Sequence, residues 1–289
     1  MSQIFLYQIF YDADTYKKLD LGFIPLDNSI NSRPDWFEFW PILNFLRTNE
    51  LTEGAWYGFF SPKFNEKTGQ NASEINAILD KYDTAANVAL FSPTWDLNAY
   101  FINQFEQGEI WHPGISNLTQ TFLDAIHFDL NIETLVTHHT TSTFANYIVA
   151  KPNFWHKWQE LAEQFYSYCE FAENNVGETA TSYGQAIYPM KTFIQERFQS
   201  ILMSSGNFKV LSPDQSQSSP LFSPLFDNNP TTRRMLQTLD LLKNKYCETK
   251  DSSYLDMFYK IRKDISCKLP TPLLDSLNTT TPYKLKSRA

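Results

Sequence analysis

Gln3-Ile-Phe-Leu-Tyr-Gln-Ile-Phe-Tyr11 carries the clearest indication of the fold in this sequence. The run is apolar and aromatic almost throughout, and it ends at Asp12. Continuous runs of this kind are typical of strands in parallel sheets, because helices cover both faces of such sheets. The stretch therefore predicts a buried first strand.

Three later runs have the same character and predict further strands at Trp56–Ser61, Val88–Ser92 and Asn146–Ala150. Pro62 and Pro93 follow the first two directly, and proline does not continue a central strand. Apolar residues at helical spacing predict helices over residues 36–46, 73–82, 97–107, 115–126, 154–171 and 190–203. Short buried strands that alternate with helices indicate a layered α/β fold.

The composition changes after residue 205, where Ser, Pro, Gln and Asn become frequent. This change predicts a main domain over residues 1–205 and a mobile linker over residues 206–230. Residues 231–289 form a predicted helical tail, in which two apolar stripes suggest a helical hairpin. The hairpin would pack on the main domain or on a partner.

Charge and composition exclude several classes of protein. With 289 residues, 42% of them hydrophobic, the chain can bury a core of its own. The net charge of −8 argues against broad nucleic-acid binding, which requires a basic surface. The three cysteines are widely spaced, which argues against a disulfide framework or a zinc cluster.

Targeting signals and familiar catalytic motifs are also missing from the sequence. The N-terminus lacks the basic and apolar regions of a signal peptide, and no apolar run is long enough to span a bilayer. We therefore expect a cytoplasmic protein that is not an integral membrane protein. The sequence has no Walker P-loop, G-x-G-x-x-G, H-E-x-x-H or G-x-S-x-G motif, which argues against P-loop NTPases, Rossmann dehydrogenases, zinc proteases of the zincin type and typical serine hydrolases.

Acidic residues near predicted strand ends are the first candidates for chemistry. Asp12-Ala13-Asp14 is a D-x-D sequence, and carboxylate pairs of this kind hold Mg²⁺ or Mn²⁺ on a donor diphosphate in metal-dependent sugar transferases. Asp96 follows the Val88–Ser92 strand, at the sheet edge where α/β proteins bind ligands. It is either a ligand of phosphate or metal, or a cap of the next helix. We expect Asp96 to matter more to function than Asp12 or Asp14.

A second group of candidates lies between residues 104 and 112. Glu106, Glu109 and His112 are close in sequence, and a general base that deprotonates an acceptor hydroxyl is a residue of this type. The same residues also suit a solvated helix end. The adjacent pair His138-His139 makes a poor metal site by itself, because neighbouring residues of a strand point to opposite faces.

Several blocks of the sequence resemble small bacterial glycosyltransferases that are encoded in polysaccharide loci. Asp27-Asn28-Ser29 matches their D-N-x-S block, and the aromatic segment Trp36–Leu46 follows as their aromatic, acidic helix does. Trp56–Phe64 is similar to their strand of the type Y-x-G-L-x-H-Y-R-R-Y-F. Phe144–Trp155 resembles their N-M-F-I-M-K-K-x-x-F segment, and Lys191–Phe198 resembles G-Y-L-A-E-R-L-F.

The resemblance spans roughly residues 3–205 and implies a GT-A-like nucleotide-diphospho-sugar transferase domain with a helical appendage. It implies transfer of a sugar from a nucleotide-activated donor to a glycan or lipid-linked glycan acceptor during surface polysaccharide assembly. The residues expected to contact the donor are Tyr7, Gln8, Tyr11, Lys63, Ser92, Glu196 and Arg197. Those expected to take part in catalysis are Asp96, Glu106 and Glu109.

Two departures from the pattern of this family bear on the mechanism. Ser61-Pro62-Lys63 stands where the family has His-Tyr-Arg, and no acidic pair follows the Val88–Ser92 strand. Both departures argue against a metal-dependent mechanism, in which Asp96, Asp12 or Asp14 would hold Mn²⁺ or Mg²⁺. The alternatives to an active glycosyltransferase are a catalytically inactive GT-A-like module that binds a glycan or a partner glycosyltransferase, and an adaptor that binds through its C-terminal helices.

Overall fold

The structure is a computed structural model that describes residues 2–82, 86–92, 94–171, 176–206, 208–217 and 221–279. The chain forms two compact units. The sheet unit comprises Met1–Pro93 and Thr143–Pro213, and the helical unit comprises Thr94–Ser142 and Asp214–Ala289. This division differs from the predicted continuous domain over residues 1–205, because the chain leaves the sheet unit after Pro93 and returns to it at Thr143.

All strands of the described residues belong to the sheet unit. They are β1 (Ile4–Phe10), β2 (Ile24–Asp27), β3 (Trp56–Phe60), β4 (Val88–Leu90), β5 (Ile148–Ala150), β6 (Ala180–Tyr183), β7 (Ala186–Pro189) and β8 (Val210–Leu211). The four strands predicted from apolar runs correspond to β1, β3, β4 and β5. The α/β class is thereby confirmed.

Helices follow most of the strands of the sheet unit and make up the helical unit. Those of the sheet unit are α1 (Ala13–Lys17), α2 (Phe39–Thr48), α3 (Phe64–Thr68), α4 (Ala72–Tyr82), α8 (Pro152–Phe171), α9 (Met190–Gln195) and α10 (Phe198–Ser205). Those of the helical unit are α5 (Trp95–Tyr100), α6 (Gln104–Trp111), α7 (Ile115–Ala125), α11 (Pro230–Thr249), α12 (Ser253–Lys263) and α13 (Thr271–Thr279). A short 3-10 helix, Pro34–Trp36, precedes α2.

The main sheet has six strands in the order β2-β1-β3-β5-β4-β8. Five of them run parallel to one another, and β5 is antiparallel to its neighbours β3 and β4. From β1 the chain passes to β2 on one side, and β3 then pairs with β1 on the other side. The carboxyl ends of β1 and β3 therefore flank a topological switch point, which is where open α/β sheets bind ligands.

Aromatic side chains fill the core of the sheet unit. The Phe59 ring lies 5.5 Å from Tyr7, 5.0 Å from Phe45 and 4.9 Å from Trp155, measured between ring centroids. These contacts join β1, β3, α2 and α8, and aromatic pairs at such distances stabilise a fold beyond simple burial. The aromatic character of the predicted strands is thus explained by packing.

The predicted helix over residues 97–107 is interrupted, and α5 and α6 take its place. The side chain of Asn103 accepts hydrogen bonds from the backbone N–H groups of Phe105 and Glu106, both at 2.8 Å. Asparagine is favoured as an N-cap residue because its side-chain oxygen satisfies backbone donors at a helix start. The apolar spacing continues across this cap, which is why spacing alone predicted a single helix.

The described residues between 206 and 230 contribute to both units. Strand β8 pairs with β4 at the edge of the sheet. In the helical unit, Ser216, Ser223 and Phe226 are buried. The backbone of Phe226 forms an isolated antiparallel β-bridge with that of Cys267. The Ser and Pro content of this segment predicted a linker. Its described residues form turns and one short strand. Helices α11 and α12 lie where the two helices of the tail were predicted, and they pack against each other.

Candidate functional site

Polar residues of the sheet unit collect at the carboxyl edge of the main sheet. Tyr11 follows β1 and Ser61 follows β3. Tyr147 precedes β5, and because β5 is antiparallel, its first residue lies at the same edge. The hydroxyl groups of Ser61 and Tyr147 are 3.2 Å apart. Together with Glu38, Lys67 and Glu196, these residues form what we call the edge cluster.

Glu38 is electrostatically central to the edge cluster. Its charge acts on Tyr11, Lys67, Tyr147 and Glu196 alike. Glu38 stands immediately before α2 and directly after Phe37, whose backbone has φ 46° and ψ −133°. A non-glycine residue in this region is strained, and such strain is concentrated at functional sites.

Glu196 is a carboxyl group of the edge cluster whose pKa is shifted strongly from its ordinary value. It follows α9 as the C-cap residue and is partly buried. Burial raises its pKa to about 7, and the nearby charge of Glu38 adds to this, whereas Arg197 and Lys67 oppose it. No hydrogen bond to the carboxylate of Glu196 is seen in the described part of the chain, although its backbone N–H donates to the Ile194 carbonyl. Near neutral pH this carboxyl group can therefore both accept and release a proton.

Lys67 brings a positive charge to the same cluster from α3. Its ammonium nitrogen lies 6.0 Å from the centroid of the Tyr147 ring. Burial lowers the pKa of Lys67, but Tyr147, Glu196 and Glu38 outweigh this and leave the pKa raised. Lys67 therefore stays protonated at neutral pH, and its side chain is exposed enough to meet a ligand.

The two tyrosines of the cluster remain neutral. Burial raises the pKa of Tyr11 to about 12, and the charges of Glu38 and Asp12 contribute in the same direction. Burial also raises the pKa of Tyr147, against the opposing effects of Lys67 and the hydrogen bond with Ser61. Neutral phenols both donate and accept hydrogen bonds, which suits recognition of hydroxyl or phosphate groups.

An ion-pair network lies next to this cluster along the chain. Arg33 donates to Asp35 at 3.1 and 2.9 Å and to Glu170 at 2.7 Å. The Lys191 ammonium lies 2.6 Å from Asp35 and 3.5 Å from Glu170, and 4.2 Å from the centroid of the Trp36 ring. The network joins the segment before α2 to α8 and α9.

Buried amides surround the segment that carries Glu196. The Asn146 side chain donates to Gln195 at 3.3 Å and accepts from Gln199. Gln195 Nε2 and Gln199 Oε1 have no partner among the described residues, although both side chains are fully buried. Buried polar atoms in this condition require a water molecule or a ligand.

Of the residues predicted to bind the donor, Tyr11 and Glu196 are brought together in the edge cluster. Tyr7 packs between aromatic rings, and burial raises its pKa. Gln8 is fully buried, donates to Asn65 at 3.0 Å and accepts from the Asp20 N–H at 3.1 Å. These contacts give Tyr7 and Gln8 a structural role.

The other predicted donor residues of the sheet unit have different surroundings. Lys63 is exposed at the start of α3, and Ser92 is buried after β4. Arg197 is 2% exposed and donates to the Phe193 carbonyl at 2.7 Å. Arg197 therefore acts on Glu196 through its charge and is itself held by the backbone.

The D-x-D sequence forms a helix start. Asp12 caps α1 by accepting from the Thr15 N–H at 2.7 Å, and the Thr15 hydroxyl is 2.8 Å from the same carboxylate. These hydrogen bonds lower the pKa of Asp12. Asp14 is exposed and pairs with Lys17 at 3.3 Å. Both carboxylates are explained by the capping of a short helix.

The three predicted catalytic acids belong to the helical unit and have structural partners there. Asp96 is 1% exposed and accepts from the Leu97 N–H at 2.9 Å and the Ser223 N–H at 2.6 Å. Burial raises its pKa against these hydrogen bonds. The sequence left open that Asp96 caps the next helix; in the structure Thr94 is the N-cap of α5, and Asp96 lies in the first turn.

Glu106 and Glu109 are likewise engaged by the helical unit. Glu106 binds the buried Arg262 at 2.8 and 3.0 Å, and Glu109 accepts from the N–H groups of Gly114 and Ser116 at the start of α7. Both line a groove of about 630 Å³ within this unit. His139 pairs with Asp240 at 2.6 Å, while His138 contacts Thr140, so the two histidines do not form one site.

A divalent metal does not fit the carboxylates that were predicted to hold it. Both oxygens of Asp96 and one oxygen of Asp12 accept hydrogen bonds from backbone N–H groups, and Asp14 is paired with a lysine. Among the residues that the structure describes, no group of three His, Cys, Asp or Glu side chains has the arrangement of a metal site.

Glu38, Ser61, Lys67 and Tyr147 were not predicted as site residues. Three of them lie within the blocks that resemble glycosyltransferases, which was a usable signal. Lys67 lies outside these blocks and has no sequence signal at all. Comparison of the chain with protein-family models, curated proteins and solved structures gives no match. None of the described helices is both long and apolar enough to span a bilayer.

Proposed function

We propose that the protein is a GT-A-like glycosyltransferase whose active site is the edge cluster. The substrates would be a nucleotide-activated sugar and a glycan acceptor of bacterial surface polysaccharide assembly. The observation that carries the proposal is Glu196, a carboxyl group with a pKa near 7 at the carboxyl edge of the sheet. A general base works best when its pKa lies near the working pH.

In the proposed reaction, two groups of the edge cluster take part directly. Glu196 accepts the proton of an acceptor hydroxyl while the acceptor oxygen forms a bond to the anomeric carbon. The bond from that carbon to the phosphate oxygen breaks, and the leaving diphosphate keeps the electron pair. Lys67 supplies a positive charge for the leaving group, where stabilisation of developing charge has its largest effect.

The position of the resembling blocks in the fold also supports the proposal. The segment Trp36–Leu46 supplies Glu38, and Trp56–Phe64 supplies Ser61. Phe144–Trp155 supplies Tyr147, and Lys191–Phe198 supplies Glu196. Blocks that are far apart in sequence thus meet at one edge of the sheet, at its topological switch point.

Binding and turnover are tested separately. Titration calorimetry with uridine and cytidine diphosphates, with and without Mn²⁺, should give heat for at least one nucleotide. A panel of nucleotide sugars should then be hydrolysed or used for transfer. Absence of heat with every nucleotide would contradict the proposed donor site. Binding without any turnover would instead identify an inactive module that keeps the site.

A further inference from the structure

The two carboxylates of the edge cluster lie on segments that are joined by an ion pair and by the contact of the Lys191 ammonium with the Trp36 ring. Asp35 precedes Glu38 by three residues, and Lys191 precedes Glu196 by five. The Lys191 ammonium and the Asp35 carboxylate are 2.6 Å apart, and the Lys191 side chain is only 6% exposed. A buried ammonium held this closely restricts how far the two segments can separate.

Further contacts make the Asp35 side of this pair rigid. Arg33 donates hydrogen bonds to both carboxylate oxygens of Asp35 and to the carboxylate of Glu170 on α8. Trp36 is fully buried and donates from its indole N–H to Glu170 at 3.0 Å. The strained residue Phe37 connects this fixed turn to Glu38. Strain of this kind persists only where the surrounding contacts hold the backbone in place.

We propose that Asp35 and Lys191 are a positioning pair, which sets the separation of Glu38 and Glu196 in the edge cluster. The proposal rests on the proposed function insofar as it treats Glu196 as the base of the reaction. Neither Asp35 nor Lys191 is required to touch a substrate. Their role is to keep the negative charge of Glu38 close enough to Glu196 to favour its protonated form.

The charges that face Glu196 determine the direction of the effect. Arg197 and Lys67 favour the ionised form of Glu196, whereas Glu38 and burial favour the protonated form. Neither Asp35 nor Lys191 is among the charges that act on Glu196 directly. If the ion pair breaks and Glu38 moves away, the pKa of Glu196 should fall.

Two variants with opposite charge changes separate positioning from direct electrostatics. Asp35→Asn removes a negative charge, and Lys191→Met removes a positive charge. Acting through space, the first would lower the pKa of Glu196 and the second would raise it. Acting through the separation of the two segments, both variants should lower it.

The measurement is a pH titration followed by carbon NMR on protein labelled at the glutamate carboxyl carbons. Glu196→Gln assigns the signal of interest. We expect the midpoint for Glu196 to fall by about half a pH unit or more in both variants. Glu163→Gln serves as the matched control, because it breaks the Arg47–Glu163 ion pair between α2 and α8 of the same unit. This control should leave the midpoint unchanged.

Shifts in opposite directions, or no shift in either variant, would overturn the positioning role. Thermal melting identifies a variant that does not fold. Because only the loss of the Lys191 charge gives opposite shifts under the two mechanisms, Lys191→Gln replaces Lys191→Met if the latter does not fold. The titration needs no substrate, so it also distinguishes the two proposals. If the protein has no glycosyltransferase activity but both midpoints are lowered, the proposed function is wrong and the positioning role of Asp35 and Lys191 still holds.

Discussion

The acidic residues of the helical unit and those of the edge cluster differ in how completely they are bound. Glu106 contacts Arg262 and also accepts from the Ile102 N–H at 2.7 Å. Asp240 accepts from both the backbone N–H and the imidazole of His139. Glu196, in the edge cluster, shows no such hydrogen bond among the described residues.

This difference separates carboxylates that stabilise a fold from one that is available for chemistry. Donors that surround a carboxylate favour its ionised form and fix its position. A partly buried carboxylate without donors keeps its proton to a higher pH, as the pKa of about 7 for Glu196 illustrates. Proximity in sequence, which drew attention to Glu106 and Glu109, does not distinguish the two situations.

The same distinction between a structural and a functional charged group applies to Lys243, a buried lysine of the helical unit. Burial lowers the pKa of Lys243 to about 8, which by itself would mark a functional residue. Its ammonium, however, donates to the carbonyl oxygens of Asn98 and Phe101 at the end of α5. Carbonyl groups at a helix end lack hydrogen-bond donors within the helix. Lys243 supplies donors to them, which gives it a structural role.

The largest expected effect is on turnover, in Glu196→Gln. Glutamine cannot accept the acceptor proton, so we expect turnover to fall by about a thousandfold, with donor affinity and melting temperature nearly unchanged. Activity of the unaltered protein should decrease as the pH falls through about 7, because the base becomes protonated. Steady-state kinetics across pH, with donor binding by calorimetry, measures these effects.

The exposed residue Glu66 on α3 provides the control for this variant. Glu66→Gln changes a carboxylate to the same amide in the neighbourhood of Lys67, and turnover should stay within twofold or so. Full activity of Glu196→Gln would show that a different residue removes the proton.

Glu106→Gln is expected to reduce stability instead of catalysis. The substitution leaves Arg262, which is 1% exposed, without its charge partner. Loss of one partner of a buried pair costs about 3 kcal/mol of the free energy of unfolding. Denaturant unfolding measures this, with Glu133→Gln as an exposed control in the same unit. An unchanged unfolding midpoint together with reduced turnover would return Glu106 to the list of catalytic candidates.

Asp96→Asn should have a smaller effect on stability. The amide oxygen of asparagine can still accept one of the two backbone hydrogen bonds. The amide nitrogen then faces the other N–H group, that of Leu97 or of Ser223, and cannot accept from it. We expect a loss of about 2 kcal/mol in the free energy of unfolding and normal turnover of the folded protein. Asp129→Asn, at an exposed position of the same unit, is the comparison. A stable but inactive Asp96→Asn protein would support the functional alternative.

The smallest effect concerns the pH dependence of stability and involves His139. Its hydrogen bond to Asp240 raises the pKa of His139 above 6.5, although burial opposes this. The stabilisation is therefore fully present below pH 6.5 and is lost as the pH rises through the raised pKa.

His139→Gln should accordingly destabilise the protein more at about pH 6 than at about pH 9. The difference should stay below about 1 kcal/mol, because the imidazole is partly exposed and solvent screens the pair. Unfolding free energies at the two pH values measure it, and His127→Gln at an exposed site is the reference. Equal losses at both values would mean that His139 is neutral throughout.

Local patterns were sufficient to identify the main elements of the fold. The apolar runs at β1, β3, β4 and β5 were correctly predicted as strands, because burial on both faces of a sheet demands continuous apolar sequence. Strand β2, which is short, largely exposed and contains Pro25, has no such signature. Edge strands are less constrained by burial, so their sequences are less informative.

The candidate site was accessible only in part from the chain itself. Tyr11 could be placed at a strand end and Glu196 in a block with a family resemblance. Lys67 joins them only because β1, β3 and β5 bring distant segments to one edge of the sheet. Conversely, Asp96 and Asp12 had the right residue type and spacing, but backbone donors bind both oxygens of Asp96 and one oxygen of Asp12.

The reason for this division is physical. Whether a segment can form a buried strand depends on the side chains within it, and those are written in order along the chain. Whether a carboxylate keeps or loses its proton depends on burial, on nearby charges and on the donors that reach it. These come from residues far away in sequence, as Glu38 and Lys67 do for Glu196. Such neighbours are established only when the chain has folded.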